Sequence, residues 1–306
     1  MGIKVKNNFH IENRMKAAME YEVQGKLLHA VQIFRSIIEE APEHLEAYYC
    51  LANLYEQSDN VDSGVELLEQ LLEIDPIDKN RRLYLAQYLL HNTQWNKAIE
   101  VLSYFSPEEE PLAAFFLGCS YFMMKDYEIA KLNFQTFVSN KNESDLKHEA
   151  FLYLTKINLE LNNYETALNF AKRAEPVYFN YWELSFLVAK IYYKMGMFEH
   201  AIKPIEKSIK QNQKIPEVYA LAGNIYLRAG QYLKAEKNLL KFSELSGETS
   251  PEFYVGLAKV CLKADKAKDA LKYYEKAIQL DPENDSAIAG INSAKTILNN
   301  NVVNDG

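Results

Sequence analysis

The chain has 306 residues with 34 Lys+Arg against 42 Asp+Glu, a formal charge of −8, and a pI near 5.4; this argues against a nucleic-acid binder, since neutralising phosphate is the work of basic domains. At 48% hydrophobic and 25% charged residues, with 11 Gly and 9 Pro, it is neither disordered nor low-complexity. The three cysteines, Cys50, Cys119 and Cys261, lie far apart with no CxxC pair, which leaves no disulfide framework or zinc knuckle and fits a reducing compartment.

Residues 1–10 read as a frayed leader. The first 20 positions are broken by charge, so no secretory signal is expected, and Lys6 stands where a myristoylation site needs Ser or Thr. From residue 11 a repeat sets in, with segments at about 11–44, 45–78, 79–110, 111–147, 148–181, 182–215, 216–250 and 251–284. A small residue marks each one: Ala30, Gly64, Ala98, Ala130, Ala167, Ala201, Ala235 and Ala270, at spacings of 34, 34, 32, 37, 34, 34 and 35. Ala and Gly together make up 40 of 306 residues, so eight hits in eight slots exceed composition. A second slot follows it as Ala18, Ala52, Ala86, Gly118, Thr155, Ala189, Gly223 and Ala258.

Each period holds two amphipathic stretches of about a dozen residues joined by a short polar turn, which predicts a helical hairpin. Helices that approach to about 8–10 Å need small residues where they cross, and the two series supply them. Larger residues on the same faces (Tyr21, Tyr55, Tyr121, Tyr192 and Tyr226 on first helices; Phe34, Leu68, Leu102, Phe134 and Ile205 on second helices) are expected to fill the seams. The third repeat is two residues short, the fourth has a three-residue insertion near Asn140-Lys141-Asn142-Glu143, and Pro204 is expected to kink a second helix. The longest uncharged apolar run, Pro111 to Met124, has 14 residues, short of the roughly 20 a bilayer span takes. No membrane insertion and a cytoplasmic location are therefore expected. Residues 285–298 read as a capping helix and 299–306 as a disordered tail.

The slots Tyr254, Leu257, Ala258, Ala270, Tyr274, Ala277 and Pro282, and their counterparts Tyr219, Ala222, Gly223, Tyr226 and Ala235 one period earlier, resemble the tetratricopeptide repeat. The resemblance implies an all-α, right-handed superhelical solenoid of antiparallel helix pairs, whose first helices line a concave groove that binds a protein or peptide. Departures are the closing Pro, in register only at Pro42, Pro76 and Pro282, and Thr155 in a small slot.

Placing the first helices on a wheel under that resemblance gives a groove stripe. In the C-terminal half it carries Lys156, Lys190, Lys194, Asn224, Arg228, Lys259 and Lys263, interleaved with Leu159, Phe186, Tyr193, Leu227 and Leu262. In the N-terminal half it carries Met15, Met19, Tyr49, Asn53, Leu83, Gln87, His91, Phe115, Cys119, Phe122 and Met123. Residues 1–147 hold 14 Lys+Arg and 23 Asp+Glu, net −9, and residues 148–306 hold 20 and 19, net +1. The expected partner is an acidic segment with apolar anchors. A solvated lysine face is the plainer account of the cations, with Glu149, Glu183, Glu217 and Glu252 as ready partners. For Phe115, Phe122 and Met123 the plainer account is packing against the adjoining hairpin.

The carboxylate clamp of chaperone-binding relatives is not matched. Asn53 follows Tyr49 rather than Lys, Tyr84 stands at the second Asn, and Lys156, Lys190 and Lys259 come one turn late. The six histidines are scattered and no HExxH, GxSxG, GxGxxG or GKS/T string occurs. Neither catalysis, a metal nor a cofactor is expected. The reading is a non-catalytic interaction scaffold or adaptor. The alternatives are a self-assembling module, with homo-oligomerisation left open, and a helical-repeat RNA binder, against which the acidic pI counts.

Overall fold

A computed structural model describes residues 2–141 and 144–304. Among these it contains seventeen α-helices and no strand, in two units, residues 1–142 and 143–306. The first unit holds α1 (Gly2–Val23), α2 (Leu27–Glu40), α3 (Leu45–Gln57), α4 (Val61–Ile74), α5 (Lys79–His91), α6 (Trp95–Leu102), α7 (Pro111–Met123) and α8 (Tyr127–Ser139). The second holds α9 (Leu146–Glu160), α10 (Tyr164–Tyr178), α11 (Trp182–Lys194), α12 (Phe198–Gln211), α13 (Pro216–Arg228), α14 (Tyr232–Ser246), α15 (Pro251–Lys263), α16 (Ala267–Leu280) and α17 (Asp285–Asn304). Each odd-numbered helix up to α15 packs on the one that follows, and within a unit each pair packs on the next. This is an all-α helical-repeat stack.

The turns inside the pairs share one device. Gly25, Asp59, Thr93, Lys125, Asn162, Gly196, Gly230 and Asp265 all have positive φ, between 59° and 75°. The N–H after each donates to the carbonyl five residues before that left-handed residue's successor, as in Lys26 to Tyr21 and Gln94 to Leu89, both 2.8 Å. This closes the last turn of the first helix in a Schellman motif. Five of the eight left-handed positions are not glycine, and Thr93 is β-branched, where that backbone is strained. Pro111, Pro216 and Pro251 open α7, α13 and α15 at the helix position that needs no N–H donor.

Every residue of both small series is buried, and all the alanines among them are 0% exposed. At Gly64 a Cβ would lie 2.0 Å from Tyr88 Oη, and at Gly118 2.9 Å from the Phe134 ring. A ring fills the space at each: Tyr88 of the next pair lies over Gly64 and Phe134 of the same pair over Gly118. Thr155, the departure, is also 0% exposed and its hydroxyl donates to the Phe151 carbonyl at 2.8 Å, so no buried polar group is left over. Phe34, Leu68, Leu102, Phe134 and Ile205 are fully buried, while of the tyrosines only Tyr55 and Tyr226 are, the rest being half-buried.

The shortness of the third repeat falls on α6, which has eight residues. Two consecutive arginines brace this region. Arg81, 8% exposed, donates to the Leu71 carbonyl at 2.9 Å near the end of α4. Arg82 donates to the Pro76 carbonyl at 2.9 Å and stacks on Tyr104, 4.2 Å from the ring centroid. In the fourth repeat's insertion, Asn142 and Glu143 lie outside the described residues. α12 runs on through Pro204, and α10 likewise contains Pro176. Helical backbone extends further at both ends than the pattern suggests, from Gly2 and to Asn304.

Two stability measurements follow. Gly64→Ala must displace the Tyr88 ring and its 3.1 Å hydrogen bond to the Ala52 carbonyl, and denaturant unfolding should show a loss of about 1–3 kcal/mol. Thr93→Gly should instead gain about 0.5–1 kcal/mol by relieving the left-handed backbone.

Candidate functional site

Two columns of positions run along the first helices, four residues apart on each and so on one face. In the C-terminal unit the first column is Lys156, Lys190, Asn224 and Lys259, and the second Glu160, Lys194, Arg228 and Lys263. In the N-terminal unit the same columns are Met19, Asn53, Gln87 and Cys119, then Val23, Gln57, His91 and Met123. They contain no Lys or Arg.

In the C-terminal unit not all the predicted cations are available. Lys156 is half-buried and pairs with Glu183 at 2.8 Å; Lys190 is half-buried, 3.5 Å from Glu160. Glu183 is one of the four glutamates expected to compete in this way. Glu149 has its carboxyl pKa raised by burial, which the nearby Lys156 partly offsets. Lys194, Arg228, Lys259 and Lys263 are exposed, and among the described residues none has a carboxylate within ion-pairing distance. Tyr193 and Arg228 both lie against Phe198, at 5.7 and 5.1 Å, and Lys263 lies 5.9 Å above the Tyr232 ring. Asn224 is exposed beside Arg228. Leu159, expected in the stripe, is 4% exposed and belongs to the core.

The N-terminal unit offers a different surface. Tyr49 on α3 stacks on Tyr84 of α5 with ring centroids 3.7 Å apart, and the Tyr84 hydroxyl donates to Asn53 Oδ1 at 3.1 Å. With its oxygen so occupied, exposed Asn53 presents its amide N–H groups outward. Burial pushes the Tyr84 hydroxyl up to about 12, the Asn53 hydrogen bond working against it, and pushes Tyr88 up to about 12 as well. His91 lies 3.0 Å from Glu56.

Phe115 requires a correction. It is 5% exposed and packs 5.7 Å from Phe134 and 5.1 Å from Phe137, so it holds α7 on α8 and is removed from the candidate site. Met15 and Leu83 are likewise core residues, at 4% and 9% exposure. Phe122 is half-buried against Tyr127 at 5.9 Å, and Met123 is half exposed. Burial pushes the Cys50 thiol up to about 11 and that of Cys261 up to about 12, the reverse of what a nucleophile needs. No helix among the described residues is long and apolar enough to cross a membrane.

Two segments match models described as tetratricopeptide repeat, residues 24–76 and 251–284. The chain is 23% identical over 292 residues to the TPR repeat-containing protein YpiA of Bacillus subtilis; the match takes in 91% of this chain and 66% of that protein, so the chain spans just under two thirds of its relative. Among solved structures, the C-terminal part of a TPR repeat-containing protein from Cytophaga hutchinsonii is similar with a TM-score of 0.57 and 22% identity, over 68% of this chain and 99% of that one. The APC/C hetero-tetramer Cut9–Hcn1 matches with a TM-score of 0.53 at 16% identity, over 88% and 52%.

The tyrosine environment makes alkaline stability a readout of the Tyr49–Tyr84 surface. Tyr84 and Tyr88 titrate near 10 when unfolded but about 12 when folded, so the unfolded state loses protons first. Their contribution is complete below pH 10 and is lost as pH rises towards 12. The urea midpoint should stay level to about pH 9 and then fall, and Tyr84→Phe should flatten the fall while costing about 0.5–1.5 kcal/mol at neutral pH.

Proposed function

We propose that this chain, which is a tetratricopeptide-repeat protein, holds an acidic partner segment along the first-helix face of its C-terminal unit. Tetratricopeptide repeats serve in general as protein-interaction scaffolds, and their members are in general non-catalytic. The observation that carries the finer reading is the column Lys194, Arg228 and Lys263 with Lys259 beside it, exposed and without carboxylate partners among the described residues. Lys156 and Lys190, neutralised by Glu183 and Glu160, position the helices and add little attraction.

Lys194, Arg228 and Lys263 stand one per helix, with Lys259 a turn away from Lys263 on α15, so the partner's carboxylates must recur at about the 10 Å spacing of packed helices. Tyr193 and the half-buried Leu227 and Leu262 lie between them and offer apolar contact. An extended segment with alternating acidic and apolar residues satisfies both demands. A cytoplasmic adaptor, without cofactor, is the setting in which we place this activity; its three free thiols agree with a reducing compartment. The surface of Tyr49, Asn53 and Phe122 in the N-terminal unit, whose two columns hold no Lys or Arg, suits an apolar stretch of the same or another partner.

Affinity capture from host lysate tests this with the intact protein beside the triple variant Lys194→Glu, Arg228→Glu and Lys259→Glu, at equal helicity by circular dichroism. The expected result is a partner retained by the first and lost by the second, whose acidic segment, made as a peptide, binds at least about tenfold more weakly to the variant. Capture of the same partners by both proteins would place binding elsewhere.

A further inference from the structure

The second helices carry a charge pattern that the first-helix reading does not use. Counted from the buried small residue of each second helix, the positions two and six residues later lie one turn apart on one face. In the C-terminal unit seven of these eight positions are cationic: Lys203, Lys237 and Lys272 in one row, and Arg173, Lys207, Lys241 and Lys276 in the next. In the N-terminal unit none of the eight is Lys or Arg, and Glu66 and Glu100 are among them. Five of the seven cations have partners within the C-terminal unit: Arg173, Lys207 and Lys276 lie over Phe151, Phe179 and Tyr254 at 4.0, 3.8 and 5.4 Å, and Lys241 and Lys272 pair with Glu244 and Asp269, which leaves Lys203 and Lys237 as the exposed cations that a solvated face or a partner must account for.

Two clefts open beneath this ladder. One, of about 850 Å³, lies between α12 and α14, with Ile209, Tyr219 and Tyr226 in its lining. The other, of about 460 Å³, lies between α10 and α12 over Ala171, Leu184 and Val188. On α14, Leu233 and Leu240 flank the larger cleft and are 61% and 39% exposed. They are seven residues apart and share a face, and no other second helix has apolar residues at both positions.

The electrostatics of the larger cleft select among polyanions. Its carboxylates are engaged: Glu236 with Lys266 at 2.6 Å and Glu244 with Lys241 at 2.8 Å. Beside it, Glu206 accepts from Tyr226 at 2.7 Å. Lys237 in this cleft and Lys203, which lines the smaller cleft on the other side of α12, are exposed and have no ion-pair partner among the described residues. An all-phosphate chain would leave the two leucines uncovered and lie against those carboxylates. A helix with one apolar edge and acidic flanks fits both features, and α14, which supplies most of the lining, has 15 residues and is about 20 Å long.

We propose that the second-helix face of the C-terminal unit, centred on the cleft between α12 and α14, docks an acidic amphipathic helix of a partner protein. The partner's apolar edge sits on Leu233 and Leu240, and its carboxylates meet Lys203 and Lys237. This is a second interaction surface, separate from the first-helix column, so the chain bridges two ligands.

Fluorescence anisotropy on the full chain tests it with a labelled helix-forming peptide that has two leucines seven residues apart flanked by glutamates. Its glutamine counterpart, phosphatidylserine vesicles and oligouridylate are run beside it. The expected result is saturable binding of the glutamate peptide that weakens at least about tenfold in Lys203→Glu/Lys237→Glu and in Leu233→Ser/Leu240→Ser. Lys194→Glu/Lys259→Glu should leave it unchanged, so this reading and the first-helix reading fail separately. Lys203→Ala/Lys237→Ala, with an unaltered melting curve, guards against misfolding. Absence of binding below about 1 mM would overturn the proposal, as would equal binding of the glutamine peptide. So would vesicles, RNA or self-association being the interaction that the same substitutions abolish.

Discussion

The structure depends on how closely paired helices may cross. Sixteen positions, two per helix pair, hold small residues, Thr155 the largest, and all sixteen are buried. The aromatic packing follows from that closeness: Tyr88 fills the space that Gly64 leaves, and Phe134 lies against Gly118. Large side chains can therefore be concentrated in the seams between pairs, where they supply most of the apolar area removed from water. The turn geometry serves the same end. A two-helix hairpin so tight has to reverse within a few residues, and the chain tolerates five non-glycine residues in left-handed conformation to do it.

A fixed backbone frame leaves the outward positions free to vary, and there the two units part. The first-helix columns of the N-terminal unit carry no Lys or Arg, whereas those of the C-terminal unit carry six against one Glu; the second-helix rows repeat the contrast. The frame also allows one slot to be satisfied by opposite chemistry. The Tyr55 hydroxyl accepts from Arg35 at 2.9 Å, whereas Tyr226, in the equivalent place, donates to Glu206 at 2.7 Å. The phenol, able to do both, is what makes that slot indifferent to the sign of its neighbour.

The helix pairs and the buried small residues were legible in the sequence because a period of about 34 residues samples one environment again and again. The availability of individual lysines was not. Lys156 and Lys190 find Glu183 and Glu160 on a neighbouring first helix, 27 and 30 residues away, a relation that a single helical wheel does not contain. Phe115 was misplaced for a different reason: α7, PLAAFFLGCSYFM, is apolar on every side, so nothing polar orients its wheel. Arg81 and Arg82 gave no signal at all, since an arginine that donates to main-chain carbonyls looks, in sequence, like any surface residue. The second-helix ladder was visible as spacing, but only Leu233, Leu240 and the cleft beside them distinguish it from a solvated face.

The short α6 has a kinetic consequence. A stack held by nearest neighbours opens piecewise, and each local opening costs only the contacts of the segment that leaves. With eight residues, barely two turns, α6 is the shortest helix among the described residues, and Arg82 stacks on Tyr104 just past its end. Amide protons between Trp95 and Leu102 are therefore expected to exchange with solvent sooner than those of the longer interior helices.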